Sequence, residues 1–270
     1  MPDNLKNKAR WVTQLYVAAG LSKTLYFMER TMRYVLVVFL ATFLSIGCAT
    51  DKATLFGKME NLAERGSPEA QYHLGMFYNN GIGTQKDTTK AFEWFEKSAM
   101  AGDPLGSYKL GCYYAGQGQG VVTIDKEKAL EYKLVAAEKG YTFAQYDVAN
   151  SYYVNGEIEE AIKWWKESAD QGDSGSIYAL YAIYSKGERI PKDSVLAYGY
   201  LKIIERNSEK KYKTAIEEKL NELENEMSAE QLEQAKTFIT NWSAQKTLLT
   251  VKALNGLKES KRIVEEAKAD

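Results

Sequence analysis

The feature that most constrains this chain is a motif that returns four times. Residues 69–102 read EAQYHLGMFYNNGIGTQKDTTKAFEWFEKSAMAG, and three further versions follow. The first helix of each copy begins at Ala70, Gly106, Ala144 and Ser176. Four residues on stand Leu74, Leu110, Val148 and Leu180, and next to them Gly75, Gly111, Ala149 and Tyr181. Phe77, Tyr113, Ser151 and Ile183 come next, each succeeded at once by a tyrosine: Tyr78, Tyr114, Tyr152 and Tyr184. A second helix recurs as well. Ala91, Ala129, Ala161 and Ala197 precede Trp94, Tyr132, Trp164 and Tyr200 by three residues, which places both sets in the core. Gly102, Gly140 and Gly172 close it, where a helix end favours a left-handed residue. One helix pair cannot bury its own apolar face, so the copies must stack. Length differences are confined to the joints, GQGQGVVTIDKEK in copy two and NGEIEE in copy three. Loops tolerate such insertions because closure entropy grows slowly with length.

The pattern resembles the Sel-one-like repeat (SLR) family, a relative of the tetratricopeptide repeat. Ala70, Leu74, Gly75, Tyr78, Gly81, Gly83, Lys90, Ala91, Trp94, Ala99 and Gly102 carry the match. The resemblance implies an all-α, right-handed α/α solenoid of stacked helix pairs, a tetratricopeptide/SLR-like superhelix with N- and C-terminal capping helices. It extends over about residues 59–208, with repeats at about 67–103, 104–141, 142–173 and 174–208. The fourth copy departs most, with Tyr181 for the glycine and Ser208 for the terminal glycine. Copy three lacks the Gly-x-Gly joint and reads more like a tetratricopeptide repeat.

The flanks read as an address at one end and caps at both. Val35–Ile46 is a 12-residue apolar run behind Arg30 and Arg33. It is too short to span a bilayer and has the length of a signal-peptide core. Leu44-Ser45-Ile46-Gly47-Cys48 closes it and resembles a bacterial lipobox, with Ser45 where leucine is usual. The resemblance implies cleavage before Cys48 and lipid attachment to that cysteine; Ala49, not aspartate, comes after it, which implies an outer-membrane lipoprotein facing the periplasm. The alternative is an ordinary cleaved leader with a bystander cysteine. A short leader starts at Met32 or Met28, so residues 1–31 read as an upstream extension or a mis-assigned start, 32–47 as the signal peptide and 48–54 as a lipidated tether. Residues 55–66 read as a capping half-repeat. Residues 209–270 read as a C-terminal helical cap and polar tail, with a capping box at Ser228 and Gln231. There Leu232, Ala235, Phe238, Ile239 and Trp242 form a stripe that covers the open end of repeat four. Leu248, Leu249, Val251, Leu254 and Leu257 form the apolar side of the last helix, and the tail from Glu259 is polar.

Chemistry finds little footing. The 35 basic and 36 acidic residues balance, and no Lys/Arg-rich patch points to nucleic acid. His73 is the only histidine, read as a solvated surface residue. With Cys48 acylated, Cys112 is the one thiol left, so neither a zinc site nor an internal disulfide is available. The cysteine-stapled SLR branch linked to penicillin binding is therefore not matched. Ser208-x-x-Lys211 and Ser243-x-x-Lys246 echo penicillin-recognising enzymes, but Ser-Asp-Asn and Lys-Thr-Gly are absent. Gly116–Gly120 is not preceded by a strand and reads as a flexible joint rather than a phosphate cradle. No cofactor and no metal is expected.

One surface stands apart. Counting from the first residue of each first helix, positions 0, 4, 7 and 8 form the core stripe, while positions 2, 6 and 9 share another face. Position 2 carries Tyr72, Tyr108, Tyr146 and Tyr178. Position 6 carries Met76, Cys112, Asn150 and Ala182, and position 9 carries Asn79, Ala115, Tyr153 and Ser185. None of the twelve is charged, in a chain that is 26% charged. In tetratricopeptide proteins these positions line the concave groove. Tyr72, Met76, Tyr108, Cys112, Tyr146, Asn150, Tyr153 and Tyr178 are therefore the candidate groove residues, with Tyr108, Tyr146 and Tyr153 at its centre. The competing reading makes the tyrosine column a packing feature between repeats. Three functions remain in view: a non-enzymatic scaffold for an unidentified protein or peptide segment, lipid-anchored in the envelope; a cell-wall-active or penicillin-binding enzyme; and a structural spacer. A groove filled by the chain's own tail favours the last.

Overall fold

The computed structural model describes residues 54–118 and 120–267. Cys48, the leader at 32–47 and the extension at 1–31 thus lie outside the described residues. All regular structure among the described residues is helical. Residues 54–64 form α1, succeeded by α2 (Pro68–Asn80), α3 (Thr88–Met100), α4 (Pro104–Cys112, prolonged by a wide turn over Tyr113–Gln117) and α5 (Lys126–Glu138). Then come α6 (Thr142–Asn155), α7 (Ile158–Ala169), α8 (Ser174–Lys186), α9 (Ser194–Asn207), α10 (Lys210–Glu226), α11 (Ala229–Asn241) and α12 (Leu248–Glu266). The chain writes these starts explicitly. Ser67, Asp87, Asp103, Asp125, Asp173 and Asp193 each accept a bond from the backbone N–H three residues on. That satisfies donors which a helix start leaves orphaned.

Each helix packs on its chain neighbour, giving the pairs α2/α3, α4/α5, α6/α7 and α8/α9 of an α/α solenoid. Gly75 and Gly111 set how closely a pair approaches. A Cβ on Gly75 would lie 2.6 Å from the Phe95 ring, and one on Gly111 would lie 2.9 Å from the Ala129 carbonyl oxygen. Side-chain bonds tie each pair to the next. Gln71 and Gln145 donate to the carbonyls of Ala63 and Ala137, at the end of the preceding second helix. Two buried clusters result, one centred on repeats one and two and one on repeats three and four, with Tyr152 and Trp164 packed against both. At the far end, α11 lies on α9: Phe238 meets Tyr200 edge-on at 5.2 Å, Ala235 and Ile239 are buried, and Ser228 and Gln231 close a capping box.

Two expectations about burial need correction. In the second helices of repeats one and three the fully buried aromatic is one residue later than expected: Phe95 and Trp165 are buried, whereas Trp94 and Trp164 are half-buried; in repeat four Tyr200 is buried as expected. The buried stripe of α7 runs Ala161, Trp165, Ser168, Ala169, the spacing of one helix face. Trp164 flanks that stripe at its margin. The second correction concerns the last helix. Leu248, Val251, Leu254 and Leu257 point outward, while Leu249, Ala253, Ile263 and Val264 pack into the cluster of repeats one and two. The expected set spans most of the helix circumference at 100° per residue, whereas Leu249, Ala253, Ser260, Ile263 and Val264 fall on one face, on either side of a local distortion at Gly256 (φ 41, ψ −103).

Glu259, Ser260, Ile263 and Val264 are buried, so this stretch of the tail is core rather than solvated polar chain, while residues 265–267 are exposed. α12 crosses back over the first three repeats. Thr250 Oγ1 donates to Gln171 Oε1 at 2.7 Å, and its oxygen accepts from Thr142 N at 3.1 Å. Thr247 Oγ1 donates to the Gly140 carbonyl at 2.8 Å. Lys252 reaches Glu69 at 3.1 Å. Ser260 Oγ lies 3.0 Å from His73 Nδ1, and His73 is only 3% exposed. The lone histidine is thus interior, beneath α12, rather than solvated.

Two measurements check this packing. Trp165→Ala removes a buried indole and is expected to cost about 3–5 kcal/mol in urea unfolding, with Trp164→Ala costing less than half as much. Equal costs would contradict the register of α7. Burial, outweighing the nearby Glu259 carboxylate, lowers the His73 pKa from 6.5 to about 4. Between those values the unfolded chain binds a proton that the folded chain does not, so this residue withdraws stability as pH falls from 6.5 towards 4. Burial shifts Asp103 the other way, up to about 6, and acts with opposite sign. Comparison with His73→Asn cancels Asp103. Wild type should lose stability relative to that variant across this acid window and run parallel to it above.

Candidate functional site

The structure divides the expected groove in two. In repeats one and two, Tyr72 and Cys112 are buried, and Met76 and Tyr108 are half-buried. Burial pushes the hydroxyls of Tyr72 and Tyr108 well above the usual phenol range. Tyr72 shares its buried cluster with Ile263 and Val264 of α12. The chain's own last helix therefore packs on the core of these repeats, and Tyr72 and Cys112, both buried, are closed to a partner.

Position 2 is also a packing position wherever another repeat comes after it. Tyr108 meets Tyr141, at the start of repeat three, edge-on at 4.9 Å. The Tyr146 ring lies over Gly175 of repeat four, where a Cβ would come within 2.8 Å. Tyr146 is half-buried and belongs to the structure more than to the surface. Tyr178 has no later copy to lean on. It is 62% exposed, its ring 6.1 Å from Tyr181.

Repeats three and four hold the open half as a cleft of about 260 Å³. Asn150 and Tyr153 of α6 form one wall, Tyr178, Ala182 and Lys186 of α8 the other, and Trp165 of α7 the floor. Glu188 and Arg189 come from the loop after α8. Trp165 Nε1 donates to Asn150 Oδ1 at 3.1 Å, which fixes both side chains. The Tyr153 ring lies 5.3 Å from Trp165, and the Arg189 guanidinium sits 5.0 Å over Tyr153. Of the eight candidates, the cleft thus unites Asn150, Tyr153 and Tyr178. The missed residues are Trp165 and the charged trio Lys186, Glu188 and Arg189. The Arg-Tyr stack links a loop to a different repeat, and no spacing rule announces it.

Ser208 Oγ donates to the Ile204 carbonyl at 2.7 Å, and Lys211 pairs with Glu209 at 3.1 Å, so this serine and lysine face other partners. Lys246 reaches the Gln171 carbonyl at 3.4 Å. Among the described residues no three of His, Cys, Asp and Glu gather as a metal site.

Comparison with known proteins respects the repeat boundaries. A Sel1 repeat model matches residues 68–103, 104–141, 142–173 and 178–203. The chain is 37% identical over 139 residues to mouse DAP3-binding cell death enhancer 1, a match over 51% of this chain and 27% of that protein. It is 32% identical over 126 residues to a putative sel1-like repeat-containing protein of Acanthamoeba polyphaga mimivirus, over 46% of this chain and 22% of the relative. The chain thus spans about a quarter of the length of these curated relatives. A crystal structure of a Sel1 repeat protein from Oxalobacter formigenes aligns at 25% identity and a TM-score of 0.52, covering 69% of this chain and 75% of the other. With four matched repeats stacked as paired helices, the chain belongs to the Sel1 repeat family.

Proposed function

We propose that this protein is a non-enzymatic scaffold that holds a segment of a partner protein in the cleft of repeats three and four. Sel1 repeats are protein-interaction modules. The observation that carries the site is the exposure of Tyr178 opposite the Tyr153–Trp165 pair, an aromatic cleft that the chain leaves open while Tyr72 and Cys112 are buried. Rigid aromatics in a pocket tend to dominate interface energy and lose little side-chain entropy on binding. The lipobox-like run ending at Cys48 supports a lipid anchor that holds the scaffold on a membrane, in the bacterial envelope and facing the periplasm. No cofactor, metal or nucleic acid enters this reading.

A second reading has its own support. Because α12 straps repeats one to three and Tyr72 and Cys112 are buried, the protein is alternatively a structural spacer whose faces are largely self-covered. Photo-crosslinking from position 178 in intact cells separates the two. A discrete partner supports the scaffold, and its absence supports the spacer. With the partner in hand, Tyr178→Ala should weaken binding by about 1–2 kcal/mol while leaving the melting temperature nearly unchanged, since the residue is 62% exposed. Unaltered affinity would place the interface elsewhere. Labelled palmitate tests the anchor: the wild type should incorporate it and sediment with membranes, and Cys48→Ala should do neither.

A further inference from the structure

One segment, α12, already lies across the repeats, and the pairing of charges there is informative. Where α12 crosses the first repeat, the carboxylate of Glu69 receives Lys252 at 3.1 Å and Arg262 at 3.7 Å. Leu249, Ala253, Ile263 and Val264 supply the apolar contacts of the same segment. This segment thus combines apolar anchors with cations that face an acid of the repeats, Arg262 also pairing with Glu259 of α12 itself at 2.7 Å.

At the open end the sign reverses. Lys186 and Arg189 stand exposed at the rim of the cleft, and among the described residues neither takes part in an ion pair. Glu188 is the rim's one acid, so the cleft lining carries two cations against one anion. Arg189 is held over the Tyr153 ring at 5.0 Å. A guanidinium held over a ring face retains N–H donors for a carboxylate, whose geometry its fork matches. The floor beneath is aromatic. Its volume of about 260 Å³ suits side chains from a segment more than a drug-sized molecule, whose pockets start at roughly 300 Å³.

We propose that the cleft takes an acidic segment of a partner protein. An aromatic or branched aliphatic side chain enters between Tyr153 and Tyr178, and carboxylates beside it pair with Arg189 and Lys186. This rests on the cleft being the binding site, and adds the sign of what binds there.

Fluorescein-labelled nonapeptides test it, each with a central Leu-Phe pair flanked by aspartates, lysines or serines. They are titrated with the full chain and read by anisotropy. The aspartate peptide should bind about tenfold more tightly than the serine peptide, and the lysine peptide more weakly than either. Raising salt from about 0.05 to 0.5 M should erase most of that preference. The Lys186→Glu/Arg189→Glu variant should reverse the order. Because both residues are exposed, its melting temperature serves as the control for folding. Equal binding of all three peptides, abolished by Tyr178→Ala, would overturn the acidic class and leave the cleft reading standing. Aspartate preference that persists in both the Tyr178→Ala and the charge-reversed variants would show the acidic peptide bound elsewhere and overturn the proposal. No saturable binding of any peptide up to about millimolar would overturn both.

Discussion

The arrangement depends on Gln171. Its side-chain nitrogen donates to the Gly140 carbonyl and to Gln145 Oε1, both at 2.8 Å, which joins the end of repeat three to the start of that repeat and the end of repeat two. Its side-chain oxygen accepts from Thr250 Oγ1 at 2.7 Å and from Thr247 N at 3.1 Å, which fastens the start of α12. One buried amide thus has both ends satisfied, and the two bonds of its oxygen reach Thr247 and Thr250, a segment that an array of repeats would not otherwise connect. Leaving a buried amide partly unpaired costs about 1–3 kcal/mol, so the node holds as a unit.

An ordinary repeat array is quasi-one-dimensional, with each unit touching only its neighbours. Here α12 runs from repeat three back to Glu69 and His73 of repeat one. The strap converts a row of local contacts into a structure closed over much of its length. It also divides the surface. The half beneath α12 loses its tyrosines to the interior, and the unstrapped half keeps an aromatic cleft with a charged rim.

The repeats were legible because each is written several times over: small residues at fixed helix positions, recurring aromatics, and glycines at helix ends all agree. The groove columns were legible as a face, since positions 2, 6 and 9 are fixed by helical geometry. Their fate was not. Tyr72 and Tyr178 occupy the same position in sequence, yet one is 6% exposed and the other 62%. The difference lies in their neighbours in space, a further repeat and α12 for Tyr72 and neither for Tyr178. The course of α12 was hidden for a physical reason too. Its docking face mixes Leu249 and Ile263 with Thr250 and Ser260, while Leu248, Val251, Leu254 and Leu257 stand exposed, so hydrophobicity alone does not mark the face that docks. His73 was misread because a polar residue becomes interior only when a distant segment, here Ser260, comes to meet it.

Hydrogen exchange along α12 tests the central claim most directly. If the strap is part of the fold, backbone amides of residues 252–264 should exchange at rates close to those of α2 and α6, and Gln171→Ala should accelerate α12 far more than α9. Stable helices packed on a core open only with large free-energy cost, whereas a lone helix of this length frays rapidly in water. Exchange of α12 at the rate of an unprotected chain, with the repeats still protected, would contradict the account, because α12 would then not strap the repeats.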